Sequence, residues 1–371
     1  MKFKIFLFLT LLLSTISYSQ QKSDWIRVEN YDGSKIGYKD INGNVKIAVD
    51  LETTFAPPKY FNHIIPIFDL NNHNYYLLKN KQKIALDSVY ISSDYELDCE
   101  RENKIRFRDK KSRKIGFLNQ NGNVIIPALY NYAAPFYNNL AVVLKNATRT
   151  CLEQGVDSLN CEHPIFKGGI TQLINDKNQL VVDSIDTAIA TNLNWYSLHV
   201  SATNKEQINR VSFKGVNGDF YSFIDYDKEF KNWFFNTFVP VVNQRSIKQL
   251  EKLSFIELTT WSENEQIWKN NKNSEVINSE FVEKLVSKVQ FLLENPKNSF
   301  FNSSDLNPYI YQNKNYDEFY DCNGNLFKEK YPAYSFYINY VDANQSLEYQ
   351  ESIAFIKTEK GYKLFTYSFK N

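Results

Sequence analysis

Four cysteines, four histidines and one acidic run are the residues of this sequence best suited to chemistry. Cys99, Cys151, Cys161 and Cys322 fit neither a CxxC redox motif nor a zinc knuckle. Cys151 and Cys161 bracket one polar segment, TCLEQGVDSLNCEHP, and are expected to staple it as a disulfide. Cys99 and Cys322 are far apart in the chain and are not expected to pair. His63, His73, His163 and His199 lack HxxxH, HExxH or Cys/His metal spacing, so each reads as a structural side chain. No GxSxG, phosphate loop or GxGxxG occurs. The sequence therefore assigns no catalytic, cofactor-binding or metal-binding residue, and no cofactor is implied. Glu96, Asp98, Glu100 and Glu102 alternate along a strand-like run. Paired carboxylates hydrolyse glycosides when their environments differ. Nothing here supplies a second environment, so a solvated strand face is expected.

Two further groups of residues suggest binding. Asp40-Ile41-Asn42-Gly43-Asn44 resembles a calcium loop, but an EF-hand needs Gly at its sixth position and Glu at its twelfth. Here Gly is fourth and the twelfth residue is Leu51. Tyr130, Tyr132, Phe136 and Tyr137 cluster in one segment and form a candidate recognition face for sugars or peptides. Their alternative role is to fill the core between repeats. Asp87-Ser88-Val89, Asp157-Ser158-Leu159, Asp183-Ser184-Ile185 and Asp186-Thr187-Ala188 resemble a D-[ST]-apolar O-glycosylation acceptor.

The elements that must position these residues are internal repeats. Lys35 to Ile47 reads KIGYKDINGNVKI, and Lys114 to Ile126 reads KIGFLNQNGNVII. Asn-Gly between alternating apolar residues predicts a two-residue type I′ hairpin. That register sets Tyr38 opposite Ile47, Ile36 opposite Val49, Phe117 opposite Ile126 and Asn119 opposite Val124. One face of the first hairpin should then carry Ile36, Tyr38, Val45, Ile47 and Val49, half-buried. YYLLKNKQKIAL from Tyr75 and QLINDKNQLVV from Gln172 fit the same frame, with Lys177-Asn178 in place of Asn-Gly. Tyr38, Leu77, Phe117 and Leu173 are then spaced by about 40, 40 and 56 residues, by subtraction of their numbers. The long last step contains the Cys151 to Cys161 segment, which reads as an insertion.

The run KIGFLNQNGNVIIPALYNYAAPFYNNLAVVLKN resembles a WG repeat. That pattern is roughly K-W-G-[YF]-[IL]-[DN]-x-x-G-x-x-[IV]-P-x-x-Y, followed by P-F and L-A-x-V. Lys114, Gly116, Phe117, Leu118, Asn119, Gly122, Ile126, Pro127, Tyr130, Pro135, Phe136, Leu140, Ala141 and Val143 match it. The family's tryptophan is Ile115 here and Ile36 in the first copy. The resemblance spans about residues 25–190 in degenerate form. It implies β-repeat architecture and says little about chemistry.

From about Asn192 the pattern changes and resembles no family. Asp227 is expected to cap a helix over Lys228 to Phe238, with Phe230, Trp233, Phe234 and Phe238 on one side. A second helix follows Ser279, carries Phe281, Leu285, Val289 and Leu292 as a stripe, and stops at Asn295-Pro296. Strands over Tyr334 to Val341, Ser352 to Thr358 and Tyr362 to Phe369 predict a terminal antiparallel meander. The expected fold is mainly β plus α+β: a β-hairpin repeat domain over 20–190, then an α+β domain over 191–371.

The N-terminus reads as a signal peptide over 1–19. Lys2 and Lys4 precede an apolar run from Ile5 to Leu13, and Ser17-Tyr18-Ser19 offers small residues at the cleavage positions. No later stretch is long and apolar enough to span a bilayer. The chain is thus expected to be exported, either periplasmic or on the cell surface or secreted. Lys and Arg total 43 against 42 Asp and Glu, a balance that argues against a nucleic-acid partner. Binding or scaffolding of a protein or glycan of the cell envelope is the first functional expectation. A small-ligand or hydrolytic pocket within residues 200–371 is the alternative.

Overall fold

The computed structural model describes residues 24–92, 95–153, 161, 164–262 and 265–370. The expected leader over 1–19, His163 and Asp157-Ser158-Leu159 lie outside the described residues. The fold is β-rich α+β. Along 25–225 small antiparallel sheets succeed one another, and five of them, all but the two-stranded sheet of Thr148–Cys151 and Pro164–Lys167, pack each on the next. The first is ordered Val45–Leu51, Ile36–Lys39, Trp25–Glu29, Tyr60–Phe61, and the second Ile64–Phe68, Asn74–Leu78, Lys83–Ile84. The third is Val124–Tyr130, Ile115–Asn119, Lys104–Arg108, and the fourth Tyr132–Ala133, Leu140–Lys145, Ile170–Asn175, Leu180–Val182.

Alternation along each central strand explains this stacking. Ile65, Ile67, Tyr75 and Leu77 face the first sheet, while Ile64, Tyr76 and Leu78 face the third. Ala141 and Val143 face the third sheet, and Leu140 and Val142 face the following one. Inner strands are therefore buried on both faces, not half-buried as the first hairpin suggests, and read as nearly unbroken apolar runs.

The hairpins keep Tyr38 opposite Ile47 and Phe117 opposite Ile126. The neighbouring pairs differ from expectation: Ile36 faces Leu51, and Val124 faces Leu118, because bulges shift the register. Val45 is consequently exposed. The turns differ too. Asp40 N donates to Asn44 O and Gly43 N to Asp40 O, and only Gly43 of the central pair has positive φ, +84°. This is a type I turn with a following left-handed residue, not type I′. The Asp40 carboxylate accepts from Asn42 N and Asn44 N, which selects that turn. Asp69, Asn119 and Asn175 do the same in the later repeats.

A sheet of Leu193–Ser201, Phe220–Asp225 and Arg210–Lys214 packs Trp195 and Phe223 onto the fourth repeat sheet. The helix Tyr226–Trp233 follows, capped by Asp225, whose carboxylate accepts from Lys228 N; Asp227 lies inside its first turn. It continues as a π turn over Phe234–Phe238 and a short helix over Val239–Asn243. The helix Ser279–Glu294 is capped by Asn278 and ends at Asn295. Both helices lie on a sheet ordered Ile267–Lys272, Ser254–Ser262, Gly361–Ser368, Leu347–Thr358, Ala333–Val341, Ser299–Ser304. The terminal meander forms its centre. Phe230, Phe234 and Phe238 pack against Tyr334, Phe336, Phe355 and Tyr362. Burying each such ring contributes roughly 1.5–3 kcal/mol, and together they fill the space between helix and sheet.

Residues 305–332, between the last two strands of that sheet order, cover its other face with Leu306, Tyr311, Tyr316 and Phe319. They also return to the repeat array. Within this segment Asp321 forms the same turn as Asp40, accepting from Asn323 N and Asn325 N.

Candidate binding groove

The four aromatic residues of the expected recognition face divide between core and groove. Tyr130 is buried and donates its hydroxyl to Asn178 Oδ1 at 2.5 Å. Phe136 is buried against Phe117, ring centroids 4.7 Å apart. These two fill the space between repeats. Tyr132, 41% exposed, and Tyr137 instead line a cavity of about 280 Å³ together with Leu140, Val142, Ala190 and Trp195. Lys328 and Glu329 of the 305–332 segment close its far side.

A second cavity, about 250 Å³, shares Pro135, Tyr137, Lys328 and Glu329 with the first. The two adjoin at these residues, between the repeat array and the returning segment, and are called together the groove, with an apolar half and a polar half.

Glu96 and Asp98 of the acidic run line the polar half, and the run is not the solvated strand face that its alternation suggests. Asp98 is 6% and Glu100 8% exposed. Asp98 accepts from Arg106 N at 2.9 Å, Nε at 2.9 Å and Nη2 at 2.6 Å. Glu100 accepts from His63 N and Ile64 N and pairs with His63 Nδ1 at 2.8 Å. Glu102 accepts from Asn138 N and Asn139 N, holding two residues of positive φ. Glu96 accepts from Asn325 Nδ2 at 2.9 Å. Each carboxylate brackets a different segment. The sign of burial in the sequence is Cys99 in the middle of the run, since cysteine is among the most buried residue types.

Cys99 and Cys322 lie at disulfide distance, Cα–Cα 6.2 Å, contrary to the expectation from their separation. Beside them Arg101 Nη2 meets Asp321 Oδ2 at 2.7 Å, and Asn323 Nδ2 donates to Leu97 O at 3.0 Å. Cys151 and Cys161 are also at disulfide distance, Cα–Cα 5.5 Å. The sulfurs of that pair and a Glu153 carboxylate oxygen lie within 4.8 Å of one another, and the sulfurs are engaged with each other. Of the O-glycosylation patterns, Ser184 and Thr187 are exposed.

Charge and proton affinity in the groove follow from burial. Desolvation pushes the Tyr137 hydroxyl well above its ordinary range, against the opposing pull of Arg101. Tyr132 shifts upward for the same first reason. These phenols stay protonated. Burial works against the Arg106 charge, and Asp98 overrides it, holding the guanidinium above its usual pKa. Aromatic rings and phenols thus line one cavity, and carboxylates line the other.

Stacked small sheets with a shared turn define a β-rich, repeat-containing protein. Residues 115–148 match the family model described as WG containing repeat. That stretch runs from the strand Ile115–Asn119 through groove residues Tyr132 and Tyr137 to the strand Leu140–Lys145. Comparison with curated proteins finds no match to the chain.

Proposed function

We propose that this is an exported, non-catalytic binding protein that seats a protein or glycan of the cell envelope in the groove. The carrying observation is that the two cavities meet at Pro135, Tyr137, Lys328 and Glu329, where repeat array and returning segment face each other. Ligand sites favour such junctions. The export reading rests on the leader-like residues 1–19 and is supported by two cysteine pairs at disulfide distance. Among the described residues no helix is long and apolar enough to cross a membrane. In this reading the repeat domain occupies 20–190 and the α+β domain 191–371. The alternative of a pocket within 200–371 is disfavoured by the aromatic packing that fills the space between helix and sheet there.

The test uses the chain without residues 1–19 as bait for native envelope extract. Specific retention of a partner, lost in Tyr132→Ala at an unchanged unfolding midpoint, is the expected result. Retention indifferent to Tyr132→Ala would overturn the groove. Turnover of glycoside, ester or peptide panels that vanishes when one groove carboxylate becomes its amide would overturn the non-catalytic reading.

A further inference from the structure

Resting on the groove as the ligand seat, we propose that it takes a basic peptide segment. A lysine or arginine side chain occupies the polar half, and an adjacent apolar or aromatic residue occupies the apolar half.

Charge is the first argument. The polar half is lined by five carboxylates, Glu96, Asp98, Asp305, Asp321 and Glu329, against three cations, Arg101, Arg106 and Lys328. Two of those cations are already committed. Arg106 donates to Asp98 through Nε and Nη2 and to Ala133 O through Nη1, and it covers the Tyr90 ring at 4.2 Å. Arg101 pairs with Asp321 and lies over the Tyr137 and Phe327 rings, at 5.4 and 5.0 Å. Glu329 lies near the Tyr137 phenol and in the field of Arg101. Glu96 is met by an amide and not by a cation. An excess of negative charge therefore remains, focused by apolar walls, and it favours a cationic occupant.

Adjacency is the second argument. The halves share Tyr137 and Pro135, so an occupant spanning both places an apolar group directly beside its charge. Sequential side chains of a peptide do this. The walls made by Leu140, Val142 and Ala190 suit an apolar side chain better than a sugar hydroxyl, which finds no partner on them and is costly to bury unpaired. The hydroxyls of Thr187 and Thr191 and the amides of Asn323 and Asn325 border the groove and can pair with peptide groups.

The test is fluorescence anisotropy with the whole chain lacking residues 1–19 and short labelled peptides of one length. One carries tyrosine followed by lysine, and a second replaces the lysine with glutamate. A glucosamine oligomer competes in a third arm. The lysine peptide is expected to bind at least about tenfold more tightly than its glutamate counterpart, a difference of about 1.4 kcal/mol. Its affinity should fall with added salt. Glu329→Gln should weaken it severalfold, and Glu96→Gln, at an exposed position, provides the same reading if Glu329→Gln unfolds. Equal affinity for the two peptides overturns the proposal, as does competition by the glucosamine oligomer stronger than by unlabelled lysine peptide. If no peptide binds while envelope retention still depends on Tyr132, the ligand class is wrong and the groove stands. If retention ignores Tyr132, the groove itself is wrong.

Discussion

At the scale of single residues, the glycine of the two Asn-Gly repeats has a steric cause. A Cβ at Gly116 would lie 2.5 Å from Ile126 O and 2.8 Å from Ala128 N, and one at Gly37 would lie 2.7 Å from Ile47 O and Ala48 O. In both hairpins the bulged partner strand presses its backbone against the glycine. Gly116→Ala should therefore cost about 1–3 kcal/mol, as overpacking does, read as a lower denaturant midpoint at constant slope. The buried ion pair gives a second test. Asp98→Asn leaves the Arg106 guanidinium without its charge partner and should cost about 3–5 kcal/mol. Combining it with Arg106→Met should restore much of that loss, and a double variant no more stable than Asp98→Asn would refute the pairing as its cause. Neither partner was legible beforehand. Alternating carboxylates look the same whether they face water or guanidinium, and Glu100 takes its partners from His63 and Ile64, in another sheet's strand and its approach.

At the scale of elements, the recurrent turn decides register, and turn carboxylates decide acid behaviour. Asp40, Asp109 and Asp32 accept hydrogen bonds from neighbouring amides and hydroxyls, chiefly from Asn44, Ser112 and Ser34, which hold their carboxyl groups below the usual aspartate value. Glu359 is lowered by Lys330 and Tyr331. A carboxyl depressed in the folded state binds its proton more readily when unfolded. Its stabilisation is therefore complete above the unfolded value, near about 4, and is lost as pH falls through the folded value. Asp24, pushed up by burial, acts in the opposite sense. The unfolding midpoint should thus drop as pH falls below about 4. Asp40→Asn should flatten that limb, because an amide keeps the turn, as Asn119 and Asn175 do, while the contribution of the ionised group above about pH 4, including its Lys46 pair, is given up. An unchanged acid limb would sink the assignment. These elements were largely readable in advance, because the signals for the Asn-Gly turns, the helix stripe from Phe281 and the terminal strands are local. Turn type was not, because it depends on a side chain two residues before Asn-Gly. The cap of the Tyr226 helix was misplaced for a similar reason: Asp225 and Asp227 are chemically equivalent, and only backbone geometry chooses Asp225.

At the scale of the whole molecule, one junction joins the two ends of the chain, and separation hid it. Cys99 and Cys322 are 223 residues apart, yet Lys59 N donates to Cys322 O at 2.8 Å and Arg101 pairs with Asp321 beside them. The readable clue was the run DCNGN at Asp321, which repeats the DINGN turn of Asp40 outside the expected array. This junction makes one wall of the groove's polar half, so covalent closure there should serve stability and binding together. Unreduced protein without residues 1–19 is expected to show no alkylatable thiol. Cys99→Ser with Cys322→Ser should lower stability by about 2–5 kcal/mol, since a cross-link across a long loop restricts the unfolded chain. Hydrogen exchange should quicken around 95–106 and 305–329 and stay unchanged in the Ser279–Glu294 helix, which packs on the opposite face of the C-terminal sheet. The Cys151–Cys161 pair closes only a short loop, so Cys151→Ser with Cys161→Ser should leave the groove's exchange unaltered. Equal exchange at 305–329 with and without Cys99 and Cys322 would show that the ion pair and backbone bonds alone hold the returning segment.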